Sequence, residues 1–302
     1  MKTRMAQLVA LLLALNLLAS SSQNQTIIDD LGHPFTVSSA PQRIISLAPN
    51  ITEILFALGL GEKVIGVTRY CDYPAEATTK EKIGGMIDPN LEQIKALNPD
   101  LVLGFRGNPL KLLNRMKDLD LPLFVLGMGE TLDSVFSVIG KIGTIVQKKE
   151  EADALLRSLT EEYRKIDNVL KGAKSRPRVF ISLHGRGLWT CGRQSFIDDL
   201  LRKARGENIA GQSMRRWMLY NREQLIHENP EIIVILAKSP EEFAQAREWI
   251  RNRVRLDGVQ AVRNDDIYFL DENLVTRPGP RIIVAFDSLA RILHPHLFKK
   301  EQ

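Results

Sequence analysis

Cysteine is scarce in this 302-residue chain: there are two, Cys71 and Cys191, and neither sits in a CxxC pair. That excludes a disulfide-knit small fold, a clustered zinc site and a thioredoxin-like redox motif. Tracts of one charge sign are also missing. The 41 Lys and Arg are interleaved with 36 Asp and Glu, so the formal charge of +5 gathers into no basic stripe, and nucleic acid is not an expected partner. Past the first twenty residues, no apolar run reaches the roughly 20 residues that a membrane helix needs. The motifs GxSxG, HExxH and GxxxxGK[ST] are absent, which removes the usual leads to a serine hydrolase, a zinc protease or a phosphate-loop enzyme.

What is present begins with an export signal. Lys2 and Arg4 precede an apolar run over residues 8–18, and small residues follow at 19–22. This predicts a secretory signal over residues 1–22. No cysteine follows the run to accept a lipid, so a signal-cleaved periplasmic protein, not a lipoprotein, is expected. In an oxidising compartment Cys71 and Cys191 could pair or remain thiols, and their spacing leaves both open.

The most informative feature is an internal repeat. Residues 90–103 read NLEQIKALNPDLVL, and residues 221–234, offset by 131, read NREQLIHENPEIIV. Both copies carry N, EQ and NP at the same spacing. A looser match joins RIISL from Arg43 to RVFISL from Arg178, and another joins residues 51–66 to residues 196–211. Three paired segments in one order imply two similar lobes. Within each copy, apolar residues at helical spacing run up to an Asn-Pro stop, and a short apolar strand follows. Helices alternating with such strands predict parallel, helix-covered sheets, so both lobes are read as three-layer α/β units.

Between the lobes, residues 144–171 contain neither glycine nor proline and place Ile145, Ala152, Leu155, Leu159, Tyr163, Ile166 and Leu170 on one face. The spacing predicts one long amphipathic helix, ended by Gly172 and Pro177. The expected organisation is therefore a signal at 1–22, a first lobe at 23–143, a connecting helix at 144–172 and a second lobe at 173–302.

The stretch RIISLAPNITEILFALGLGEKVIGVTRYCDYP, followed by NLEQIKALNPDLVLGFRG, GENIAG and NREQLIHENPEIIVI, resembles the helical-backbone (class III) periplasmic substrate-binding proteins of ABC importers. The resemblance runs from about residue 42 to residue 297. It is nearest to the cobalamin-binding members, with ferric-siderophore and haem binders beside them. It implies two Rossmann-like lobes joined by one long helix, with cobalamin or another metal chelate held between them. It also implies an inner-membrane permease dimer as partner, no resident cofactor, and a monomer.

Open α/β sheets bind ligands at the carboxyl ends of their strands. Loops at those ends supply the candidate ligand contacts Tyr70, Met86, Phe105, Arg106, Trp189, Trp217 and Arg277. The resemblance implies that Tyr70, Phe105, Trp189 and Trp217 clasp a corrin and that Arg277 makes a polar contact. Aromatic faces suit a broad, flat, mostly apolar ligand. Met86 stands where the cobalamin binders have Trp, and Asn273 where they have an acidic residue. Glu92 and Glu223, equivalent in the repeat, are implied to dock on permease arginines; a glutamate that merely favours the helix start is the plainer alternative. Cys71 and Cys191 are expected on cleft loops, either bridged or as pocket thiols. The five histidines are scattered and no direct metal site is expected; His184, which follows the Arg178 strand, is read as structural, with an approach to the cleft as the alternative. Tyr70 as an axial haem ligand, a two-lobed enzyme or chelatase, and an envelope scaffold stand as competing readings.

Overall fold

The computed structural model describes residues 25–127, 129–183, 187–252 and 255–298; the export signal and His184 lie outside the described residues. The strands in chain order are β1 (Gln25–Ile28), β2 (Pro34–Val37), β3 (Ile44–Ser46), β4 (Val64–Val67), β5 (Glu81–Lys82), β6 (Leu101–Phe105), β7 (Leu123–Leu126), β8 (Arg178–Leu183), β9 (Trp189–Cys191), β10 (Glu207–Asn208), β11 (Trp217–Leu219), β12 (Ile232–Ala237) and β13 (Ile267–Asp271). The helices are α1 (Pro49–Ala57), α2 (Leu91–Ala96), α3 (Leu110–Asp118), α4 (Leu132–Ile145), α5 (Lys149–Leu170), α6 (Phe196–Lys203), α7 (Arg222–Glu228), α8 (Pro240–Asn252), α9 (Gln260–Arg263), α10 (Glu272–Thr276) and α11 (Ile282–Leu293).

Two separate parallel sheets form, in the orders β5-β4-β3-β6-β7 and β10-β8-β12-β13. The sequence repeat maps onto them strand for strand. β3 and β8 hold the RIISL and RVFISL segments, β4 and β10 lie toward the end of the second matched pair, and β6 and β12 follow the NP motif. The central strands are buried along almost their whole length, as sheets covered on both faces require.

The repeated residues have matching local jobs. Asn90 and Asn221 cap α2 and α7, each accepting a hydrogen bond from the backbone N–H of the third helical residue, Gln93 or Gln224, at 3.1 Å. Asn98 and Asn229 then adopt the left-handed conformation, at φ of 45° and 43°, so each helix turns sharply into its Pro. The acid after each Pro ties the unit to the neighbouring strand. Asp100 accepts from the backbone N–H of Arg43 at 2.9 Å, and Glu231 accepts from that of Arg178 at 2.9 Å.

The connecting helix is shorter than the sequence implies. α5 spans 22 residues from Lys149, about 33 Å at 1.5 Å per residue, and residues 144 and 145 belong to α4. The chain breaks between them because Gln147 takes a positive φ of 55° and folds α4 back against α5 as a hairpin. Gly143 permits that contact, since a Cβ there would lie 2.3 Å from the Ala152 Cβ. The apolar face of α5 packs on α11, where Tyr163 stacks on Phe286 at 5.1 Å between ring centroids.

The caps give a direct check of the duplication. Asn90→Ala and Asn221→Ala should each lower unfolding free energy by about 1 kcal/mol. Because the two caps lie in different lobes, their losses should add in the double variant. Urea unfolding midpoints of the four proteins measure this.

Candidate functional site

The lobes face each other across a cavity of about 410 Å³. On the first lobe its wall is Tyr70, Met86 and Phe105 above Pro49 and Asn50 of α1, with Gly129 and Glu130 from the loop after β7. On the second lobe it is Phe196, Arg216, Trp217 and Lys238, together with Glu272, Asn273, Thr276, Arg277 and Pro278. Four aromatic rings, two from each lobe, therefore meet at one space.

Local chemistry explains the presentation of each ring. Asn108 is buried and pins two walls at once: its Oδ1 accepts from the Phe105 backbone N–H at 2.9 Å, while its Nδ2 donates to the Met86 carbonyl at 2.7 Å. A side chain at Gly107 would strike the Phe105 ring, 2.1 Å from its nearest atom, so glycine lets that ring fold over the turn. Opposite, β11 pairs with β9 in antiparallel register, setting Trp217 across from Cys191 and Leu219 across from Trp189. Gly192 makes room for the crossing strand, because a Cβ there would lie 2.3 Å from the Arg215 carbonyl oxygen. Phe196 opens α6, which Ser195 caps.

Polar contacts join the lobes around and beneath the cavity. Arg277 donates to both carboxylate oxygens of Asp72, one of them at 3.1 Å. Arg216 donates to Glu130 at 2.5 Å on the other flank. At the junction of the lobes, outside the cavity lining, Glu53 is buried and accepts two hydrogen bonds from Arg281, at 2.9 and 2.5 Å. Burial pushes the Glu53 carboxyl above its usual value, and the Arg281 hydrogen bonds pull against that push. The Arg277 hydrogen bond holds the Asp72 carboxyl below its usual range.

Of the residues expected at the cleft, Tyr70, Met86, Phe105, Trp217 and Arg277 line the cavity, and Asn273 joins them. Trp189 does not. It lies at the far end of the β9 and β11 ribbon, 44% exposed, beside Leu219. Arg106 lines an adjoining hollow instead. The cysteines neither bridge nor line the cavity, which corrects both expectations for them. Cys71 is buried beneath the wall, with the Thr52 hydroxyl 3.2 Å from its Sγ. Cys191 lies within β9, not in a loop, and burial pushes its thiol up to about 12. Sequence reasoning missed Asn50, Asn108, Glu130, Phe196, Arg216, Lys238 and Glu272. Phe196 and Lys238 carried a usable signal: one starts the segment paired with residues 51–66, and the other directly follows the repeat's strand. Glu92 and Glu223 are exposed in the first turns of α2 and α7. Among the described residues, no group of three or more His, Cys, Asp or Glu is placed to hold a metal ion.

The profile of the periplasmic binding proteins matches residues 44–274, most of the chain. The chain belongs to that family. A periplasmic binding protein of this kind is the extracytoplasmic substrate-binding component of an ABC transporter, and it makes and breaks no bond. The chain is 30% identical over 247 residues to a vitamin B12-binding protein of Pectobacterium carotovorum, covering 81% of this chain and 86% of that one. It is 29% identical over 282 residues to an uncharacterized ABC transporter substrate-binding lipoprotein of Bacillus subtilis, covering 91% and 87%. The solved periplasmic heme-binding protein RhuT from Roseiflexus, in its apo form, shares the fold with a TM-score of 0.74 at 26% identity, covering 85% of this chain and 99% of that one.

The cross-cleft pair gives a pH test. Because the folded value of Asp72 is depressed, its pair with Arg277 adds stability above the usual carboxylate value, and the increment is lost as pH falls through the depressed one. Asp72→Asn should therefore be less stable than the parent at pH 7, and the gap should close as the solution is acidified below about pH 4. Urea midpoints from pH 3 to pH 7 measure it; a gap independent of pH would show that the pair is not ionic in the folded protein.

Proposed function

We propose that this chain captures a large metal chelate, cobalamin or a related corrinoid, between its lobes and hands it to an ABC permease. The observation that carries this reading is the meeting of Tyr70, Phe105, Phe196 and Trp217, drawn from both lobes, around one cavity whose lining also offers polar side chains such as Asn50, Lys238, Asn273 and Arg277 to orient a ligand. A broad, mostly apolar face is well held by such rings. The 30% identity to a vitamin B12-binding protein supports the corrinoid class. Met86, unbranched and adaptable, suits a face of different contour from the one a tryptophan would fit. At about 410 Å³ the cavity is at the small end of ligand sites, so a chelate enters by parting the Arg216–Glu130 and Arg277–Asp72 pairs at its flanks.

Glu92 and Glu223 are the proposed docking points. Each opens a helix that runs antiparallel to the strand it precedes, so both stand at the carboxyl edges of their sheets, one per lobe. Two acids fixed to two lobes can set the register of a permease dimer. Export through residues 1–22 and an unlipidated mature chain are part of the proposal; the Bacillus subtilis relative, by its name, is a lipoprotein.

Two experiments test this. Titration with cyanocobalamin or haemin should quench tryptophan fluorescence; Trp217→Phe should remove most of the response and Trp189→Phe little of it, since only Trp217 lines the cavity. Failure of every chelate tried to change the fluorescence would sink the reading. Reversal of both docking acids, Glu92→Arg with Glu223→Arg, should leave ligand affinity unchanged and abolish transport in reconstituted vesicles. Transport surviving the double reversal would remove the docking role.

A further inference from the structure

A second hollow of about 420 Å³ adjoins the aromatic cavity, and three residues, Gly129, Glu130 and Arg216, line both. The rest of its lining differs sharply in character. Asp30, Arg106, Lys141, Ser134 and Ser137 supply polar groups, and among the described residues no aromatic side chain lines it. The partition between the two spaces is the Arg216–Glu130 ion pair, whose Glu130 side chain is 60% exposed.

The charges inside the hollow do not cancel. Lys141 is satisfied by Asp30, and Arg216 by Glu130. Asp30 is further engaged by the Gly127 backbone N–H at 2.6 Å. Ser134 is consumed by the cap of α4, donating to the Thr131 carbonyl at 2.8 Å and accepting from its N–H at 2.8 Å. The Arg106 guanidinium, by contrast, has no hydrogen bond or ion pair among the described residues. Its backbone alone is tied, through a 2.9 Å bond to Leu126. One guanidinium is thus left over, with the Ser137 hydroxyl one helical turn before Lys141 on the same face of α4. An unpaired guanidinium is a fork suited to a carboxylate or phosphate.

We propose that this hollow is an annex of the ligand site that takes an acidic arm of the chelate, a carboxylate or phosphate on its periphery, with Arg106 as the residue that selects for it. The inference rests on the chelate reading above and narrows it to ligands with at least one anionic side arm. The macrocycle lies against the rings, and the arm crosses the partition. Its charge takes the place of Glu130 at Arg216 while Arg106 closes on it from the other side. Exchange of one carboxylate for another at Arg216 is nearly neutral, because an exposed ion pair contributes little. The net gain comes from Arg106.

The test compares matched ligands that differ only in the arm: cyanocobalamin against its monocarboxylic acid, and haemin against the same haem with both propionates converted to methyl amides. Arg106 is exposed, so in the parent protein the acid of each pair should bind up to about fivefold more tightly, the upper end for an ion pair made by an exposed side chain. Arg106→Gln should erase that advantage while leaving the amide within about twofold of its parent affinity, and Arg106→Lys should restore part of it. Acid and amide binding equally to the parent would overturn the annex alone and leave the chelate reading standing. A loss of affinity in Arg106→Gln that is equal for acid and amide would likewise assign Arg106 a structural role. No binding of any of the four would sink the annex together with the chelate reading.

Discussion

A carboxylate buried at the junction of two lobes has to be answered by a cation from somewhere, and here Glu53 of the first lobe is answered by Arg281 of the second. The Glu53 side chain is 2% exposed and that of Arg281 is 19%. Removing one partner of a buried pair leaves an uncompensated charge at a cost of about 3–5 kcal/mol, so the lobes are held at this point far more firmly than at their rims. Nearby contacts follow the same line. The Asn50 amide reaches the Pro278 carbonyl at 3.4 Å, and a Cβ on Gly129 would lie 3.2 Å from the Pro278 Cβ. At the start of α4, the Leu132 N–H donates to buried Asp199 of α6 at 2.9 Å. The junction of the lobes is therefore hydrogen-bonded at several points, and the chain crosses between the lobes through α4 and α5.

Duplication supplies the frame and its departures supply the site. The shared part of each lobe is four strands with a capped helix leading into the second central one. What the copies do not share builds the two walls. The first lobe adds β5 and the tight turn after it, where Gly84 at φ of 100° and the bridge between Gly84 and Pro89 hold out Met86. The second lobe adds instead the β9 and β11 ribbon, which carries Trp217. Two lobes of one plan thus present different walls to the cavity: the first adds Met86 to its two rings, and the second brings Trp217 in on the ribbon.

How much of this was legible in the sequence follows from the range of the forces involved. The repeat, the parallel sheets and the helix stops are set by residues a few positions apart, so NxEQ and NP could be read directly. The loops at the carboxyl ends of strands could be named as well, because strand direction fixes where they lie. What escaped reading depends on contacts between distant segments. The α4 and α5 break contains no glycine or proline to mark it; it arises because α4 packs back on α5 around Gly143. Trp189 and Trp217 are equivalent as letters, and only the ribbon register separates the ring in the cavity from the ring outside it. The cysteines flank cleft residues in sequence, yet both are buried, Cys71 against the Thr52 hydroxyl and Cys191 within β9.

The same contrast in burial governs how the molecule can move. Asp72 and Glu130, the acids of the two rim pairs, are 59% and 60% exposed, and exposed pairs contribute about 0–1 kcal/mol each. An apolar face of some 200 Å² laid on the four rings gains about 5 kcal/mol at 25 cal/mol per Å². A ligand of that face could therefore separate both rim pairs and still bind, whereas the same gain only matches the cost of breaking the buried Glu53–Arg281 pair. In the proposed function, ligand entry is therefore expected to part the rim pairs before the buried one. In the proposed annex, a ligand acid that takes over Arg216 from Glu130 would leave the number of ion pairs unchanged, so the rim could exchange partners while the buried pair keeps its own.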